Sequence, residues 1–154
     1  MAYPEEGTQA PGFSLPNNKK DIKSLKEYRG QWVVLYFYPK DNTPGCTSEA
    51  IEFSSLLKEF QSHRAVIIGV SPDSPESHAR FIEKHGLSVI LLSDEDKRVC
   101  SEYGVWQKKK NYGKEYMGVV RTTFLIDPKG IISKRWLNVK AAGHANEVKC
   151  SLNG

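Results

Sequence analysis

The apolar run Val33-Val34-Leu35-Tyr36-Phe37-Tyr38 leads without a spacer into Pro39-Lys40-Asp41-Asn42-Thr43-Pro44-Gly45-Cys46, and then into Thr47-Ser48-Glu49-Ala50-Ile51-Glu52-Phe53. The run has the β-branched and aromatic content of a buried strand. The segment after it is Glu/Ala-rich, with apolar residues at helical spacing (Ile51, Leu56, Leu57, Phe60). The two prolines and the glycine between them mark a turn. A buried strand that turns at once into a helix confines the chain to layered α/β arrangements. It also puts the Cys46 thiol at the first helical turn, just beyond the strand's C-terminal end. Unpaired N–H groups and the positive end of the helix dipole favour a thiolate there. In open α/β sheets that is also where ligands bind.

The rest of the chain extends this pattern. Phe13-Ser14-Leu15 is a short strand candidate, and Ser24–Tyr28 a single helical turn. The first strong strand is 32–38, and its helix is expected from Cys46 to about Gln61. Ala65–Ser71 is a second buried strand. Ser74 caps the helix that follows, with Pro75 at its first position, and Gly86 ends it. Val89–Leu92 is a third strand, followed by a helix over about 95–103. A polar loop is expected over Gln107–Lys114, then one strand over Val119–Asp127, a turn at Asp127-Pro128-Lys129-Gly130, a return strand 131–136 and a last helix 143–152. The order β-α-β-α-β-α-β-β-α predicts a mixed central sheet with helices on both faces, a thioredoxin-like α/β fold, in one domain spanning 1–154.

With 154 residues, 39% in the hydrophobic set and 26% charged, the chain can build a proper core. Three scattered cysteines, Cys46, Cys100 and Cys150, argue against a disulfide-stapled secreted scaffold. The four histidines show no metal-site spacing, so no metal or other cofactor is expected. The net charge of +4 and the short run Lys108-Lys109-Lys110 read as solvation rather than nucleic-acid binding. The N-terminus lacks the basic and apolar regions of a signal peptide, and no apolar run approaches the roughly 20 residues of a membrane span. The expectation is a cytoplasmic protein whose cysteines begin as thiols.

For a thiolate nucleophile at Cys46, Thr43 lies three residues back across the turn and can hydrogen-bond the sulfur. Pro39, Pro44 and Gly45 shape the turn and shield the thiol. A cation is still required, and Arg121 is the best candidate, a charge inside an otherwise strand-like pattern.

Pro39-x-x-x-Thr43-x-x-Cys46 is the active-site pattern of the peroxiredoxins. The longer run Tyr36–Ala50 resembles their bacterioferritin comigratory protein (peroxiredoxin Q) subfamily. So do Leu91–Asp96, Tyr103-Gly104-Val105-Trp106, Arg121–Asp127 and Gly143-His144-Ala145, and the likeness spans about 7–149. The resemblance implies a thiol peroxidase. Cys46 matches the peroxidatic cysteine, Thr43 and Arg121 its partners, Pro39 the pocket wall, and Glu49 a recurrent acidic residue with a structural role. The substrate would be hydrogen peroxide or an alkyl hydroperoxide. The reductant would be thioredoxin, glutaredoxin or a small thiol, and the protein a monomer, with a dimer as the alternative.

The chain departs from the subfamily at the resolving cysteine. One position that holds it in relatives is Ile51 here, and the helix after Pro75, where others carry it, has none. Cys100 and Cys150 are the remaining candidates, and both would require local unfolding to pair with Cys46. The expectation is a one-cysteine mechanism. A redox switch or holdase using a single round of Cys46 oxidation is the alternative class.

Overall fold

The computed structural model describes residues 2–152. Its elements are β1 (Ser14–Pro16), β2 (Ile22–Ser24), a 3-10 turn (Leu25–Tyr28), β3 (Trp32–Phe37), α1 (Pro44–Ser55), α2 (Leu57–Ser62), β4 (Ala65–Ser71), α3 (Pro75–His85), β5 (Ile90–Ser93), α4 (Arg98–Glu102), β6 (Trp106–Asn111), β7 (Lys114–Val119), β8 (Thr122–Ile126), β9 (Ile132–Trp136) and α5 (His144–Leu152). Five strands form the central sheet in the order β5-β4-β3-β8-β9. Strands β3, β4 and β5 run parallel, while β8 is antiparallel to β3 and β9 antiparallel to β8.

The β3 run lies at the centre of this sheet, which explains its unbroken apolar character: residues 33–38 are each no more than 2% exposed. Successive side chains point to opposite faces. Val33, Leu35 and Phe37 pack on one face with Val99, Cys100 and Tyr103 of α4 and its C-terminal turn, and with Phe13, Leu15 and Leu25 from the N-terminal segment. Val34, Tyr36 and Tyr38 pack on the other with Cys46, Ala50 and Phe53 of α1, Phe60 of α2, Phe81 of α3, and Ala145 and Val148 of α5. Helices cover both faces of a mixed sheet, so the thioredoxin-like fold is as expected.

Several boundaries differ from the sequence reading. The helix expected over 46–61 breaks at Leu56 into α1 and α2. The hydroxyl of Ser55 donates back to the Glu52 carbonyl (2.8 Å), a local bond that competes with helix continuation. The buried stripe of α1 is Cys46, Glu49, Ala50 and Phe53, whereas Ile51 is 44% exposed. The helix expected over 95–103 shortens to Arg98–Glu102 because Lys97 adopts φ +61° and the Asp94 carboxylate accepts the Val99 and Cys100 N–H groups.

The polar stretch Gln107–Lys114 is a β-hairpin rather than a loop. Strands β6 and β7 pair in register from Trp106↔Val119 to Asn111↔Lys114. They meet at a two-residue turn, Tyr112-Gly113, with φ +52° and +78°, the primed geometry that suits hairpins. The strand expected over 119–127 is consequently two: β7 ends at Val119 and β8 starts at Thr122, so the chain passes from the ribbon to the central sheet at Val120-Arg121.

Candidate active site

Thr43 is extended (φ −89°, ψ 155°) as the N-cap of α1, and Pro44 occupies the first helical position, where its missing N–H costs nothing. Cys46 is therefore in the first turn of α1, and it is 2% exposed. Opposite it, the β7–β8 junction delivers Arg121. One arm of the guanidinium, Nη2, lies 3.2 Å from Cys46 Sγ, and the other, Nη1, donates to Glu49 Oε1 at 2.5 Å. Glu49 is one helical turn beyond Cys46 and is fully buried. The three side chains thus form a chain, carboxylate to guanidinium to sulfur.

The electrostatics follow from burial. Loss of solvent pushes the Glu49 carboxyl from 4.5 up to about 7, against the downward pull of Arg121. Burial opposes the Arg121 charge, but Glu49 and Cys46 outweigh it and the guanidinium is held above its ordinary value. Glu49 Oε2 and the Tyr36 hydroxyl have no hydrogen-bond partner among the described residues. Burial, then the nearby Glu49 and Cys46, push Tyr36 well above the usual phenol range, so it stays a neutral phenol.

Gly45 has a steric role beside the guanidinium. A Cβ at this position would come 3.2 Å from Arg121 Nη2 and 3.9 Å from Ala141 Cβ. The Ala141 segment belongs to the 137–143 stretch that follows β9. Its Val139 N–H donates to the Arg121 carbonyl (2.9 Å) and holds the far side of the junction. Beyond Val139 and His144 lies a cavity of about 420 Å³, and Cys46 is not among its lining residues.

Thr43 faces elsewhere in this arrangement. Its hydroxyl donates to the Lys40 carbonyl (2.9 Å), which tightens the loop, and it makes no hydrogen bond to Cys46 Sγ. Pro39 is half-buried and Pro44 exposed.

The loop is fixed from below by a polar cluster that the sequence reading missed. Asp41 accepts the Tyr38 hydroxyl (2.6 Å) on one oxygen, and His78 Nδ1 (2.7 Å) and the Ser77 hydroxyl (2.8 Å) on the other. Its own N–H donates to Asp73 (2.8 Å). His78 Nε2 lies 3.0 Å from the Leu92 carbonyl, so both ring nitrogens face protein oxygens. This is a buried histidine–carboxyl contact between α3 and the loop that precedes Cys46. The residues are 37 apart, and no local pattern joins them.

The other thiols lie elsewhere. Cys100 is fully buried on the opposite face of the sheet from Cys46. Burial, with help from the Asp94 carboxylate, holds it far above the usual thiol range. Cys150 is exposed on α5, and all three cysteines are free. Among the described residues no group of three or more His, Cys, Asp or Glu side chains could hold a metal ion. Among the described residues no helix is long and apolar enough to cross a membrane.

Comparison with known proteins shows the family. Residues 7–135 match the AhpC/TSA family. The chain is 48% identical over 148 residues to peroxiredoxin Bcp of Bacillus subtilis strain 168, covering 96% of this chain and 94% of the relative. It is 46% identical over 129 residues to peroxiredoxin Bcp of Xanthomonas campestris, covering 84% and 81%. Among solved structures, a Xylella fastidiosa PrxQ cysteine-to-serine mutant superposes with TM-score 0.94 at 39% identity, covering 99% of this chain and 98% of that one. The bacterioferritin comigratory protein of Xanthomonas campestris, described for its alkyl peroxide reduction activity, superposes with TM-score 0.89 at 39% identity, covering 97% and 98%.

Proposed function

The chain belongs to the AhpC/TSA family as a thiol peroxidase of the Bcp/peroxiredoxin Q type, and from that premise we propose that Cys46 is its peroxidatic residue and Arg121 the charge that serves it. The observation that carries this reading is the 3.2 Å approach of Arg121 Nη2 to Cys46 Sγ, with the guanidinium anchored from behind by Glu49.

In the first half-reaction the Cys46 thiolate attacks the terminal oxygen of hydrogen peroxide or an alkyl hydroperoxide. An S–O bond forms as the O–O bond breaks. Cys46 becomes a sulfenic acid, and the departing oxygen takes a proton to leave as water or an alcohol. Negative charge moves from sulfur toward the oxygens in this step. A guanidinium in contact with the sulfur can follow that charge without reorganising. Gly45 leaves the space this requires, and the Thr43 side chain shapes the loop at the entrance.

In the second half-reaction a thiol attacks the sulfenic sulfur and water departs. A second thiol equivalent then regenerates Cys46. The reading is one-cysteine. Cys100 is sealed on the far face of the sheet, and the α1 position five residues after Cys46 is Ile51, not a cysteine. The reductant is then external: thioredoxin, glutaredoxin or a small thiol. We read residues 1–154 as one domain, acting in the cytoplasm as a monomer.

Mass spectrometry without reduction, after one equivalent of peroxide, tests the scheme. A gain of one oxygen on Cys46 is expected, and a Cys100→Ser, Cys150→Ser double variant should turn over with an external thiol as the wild type does. A loss of two hydrogens, marking an internal disulfide, would overturn the one-cysteine reading. A single stoichiometric oxidation without turnover would favour a switch.

A further inference from the structure

The β6–β7 ribbon has two different faces. On one, Lys108 and Lys110 both pair with Glu115. Lys109 points to the other, where its cross-strand partner is Tyr116. The Lys109 stem crosses Gly118, where a Cβ would come 3.0 Å from Lys109 Cδ. The stem ends with Nζ donating to the Val119 carbonyl at 3.0 Å. Lys109 is half-buried and, among the described residues, has no carboxylate within ion-pair distance. Burial, then the positive charge of Arg121, lower the proton affinity of its ammonium, while Cys46 pulls the other way. Lys109 therefore shares an electrostatic environment with the catalytic pair.

Val119 is the last residue of β7, and Arg121 follows two residues later. The backbone here is tied at several points, one of them the Thr122 hydroxyl, which donates to the Val120 carbonyl (2.8 Å). Lys109 holds the Val119 carbonyl, Val120 N–H donates to the Val105 carbonyl (2.8 Å), and Val139 N–H donates to the Arg121 carbonyl (2.9 Å). Of these ties only that of Lys109 is a charged side chain from a separate element. It can be removed by substitution without altering the backbone.

We propose that Lys109 is a positioning residue of the peroxidatic site: by holding the Val119 carbonyl it fixes the β7–β8 junction, and so sets the guanidinium of Arg121 against the oxygens of the bound peroxide. The proposal rests on the peroxidatic reading of Cys46. It also explains two features of the sequence. A lysine stands between two paired lysines without a carboxylate of its own, and a glycine lies where its stem must pass.

The test compares wild type, Lys109→Met and Lys109→Arg, with Cys46→Ser as control. Two rates are measured on each full-length protein: oxidation of Cys46 by hydrogen peroxide and alkylation of Cys46 by iodoacetamide. Methionine keeps an unbranched stem over Gly118 but cannot donate to Val119. Lys109→Met should slow oxidation on the order of 10-fold, as a small misplacement of a catalytic group does. It should leave alkylation within about twofold, because only the peroxide reaction uses the aimed guanidinium. Lys109→Arg should recover most of the oxidation rate. Equal slowing of both reactions, an unchanged oxidation rate in Lys109→Met, or a Lys109→Arg variant no faster than Lys109→Met would overturn the proposal. A wild type that gains no oxygen from peroxide would overturn the peroxidatic reading itself, and the proposal with it.

Discussion

Glu49 and Arg121 form a buried ion pair whose outer arm is the one that touches Cys46. Glu49 is fully enclosed and Arg121 nearly so, with side-chain exposures of 0% and 14%. A pair so far from water is steered little by salt, and its geometry is fixed by the packing of α1 against the sheet. The carboxylate restrains the guanidinium, and the guanidinium presents its remaining donors to the sulfur and to what the sulfur attacks.

The buried carboxyl gives the fold a pH signature. Glu49 is raised from 4.5 to about 7, so between those values the folded chain holds a proton that the unfolded chain has released. Stability from this group therefore falls as pH rises through that window, by on the order of 3 kcal/mol in total. Glu49→Gln removes the proton-binding site. Urea unfolding from pH 4 to pH 8 should show the wild type losing stability relative to the variant as pH rises. Parallel curves would contradict it.

Gly45→Ala probes the guanidinium position. Gly45 is the second residue of α1 and has no positive φ, so its backbone can accept alanine. The new methyl would lie 3.2 Å from Arg121 Nη2, and the guanidinium must move to make room. Peroxide oxidation of Cys46 should slow about 10-fold. A wild-type rate in the variant would mean that the guanidinium position is not critical.

His78 and Asp41 anchor the loop ahead of Cys46 from the α3 side. His78→Leu strands the buried Asp41 carboxylate with hydroxyl donors alone. Removing one partner of a buried hydrogen bond costs about 1–3 kcal/mol, more where the group left behind is charged. Denaturant titration should show that loss, and the double variant His78→Leu, Asp41→Asn should recover part of it. A loss of under about 1 kcal/mol in His78→Leu would show that the pair does not anchor the loop.

The sequence disclosed the centre of this site better than its surroundings. The strand of residues 33–38 and the turn through Thr43-Pro44-Gly45 were legible because burial on both faces and turn chemistry are local properties. Arg121 stood out as a charge within an apolar pattern, but its place between two strands did not. The hairpin before it is polar on both faces, and Lys108-Lys109-Lys110 carries no period-two apolar signal. Its Tyr112-Gly113 turn was the one local cue. The α1 stripe was misjudged for the same kind of reason. Its buried positions include Glu49, which belongs to an ion pair closed by a residue 72 positions away, while the apolar Ile51 faces out. The Asp41–His78 pair was likewise hidden, since only the packing of α3 beside the loop brings the two together.

The central claim is that the charge of Arg121 drives the reaction at Cys46. The most direct measurement is the second-order rate constant for Cys46 oxidation by hydrogen peroxide in wild type and in Arg121→Ala. A fall on the order of 10²-fold or more is predicted, as for the loss of a preorganised charge at a reacting centre. A variant that folds and oxidises at the wild-type rate would contradict the account.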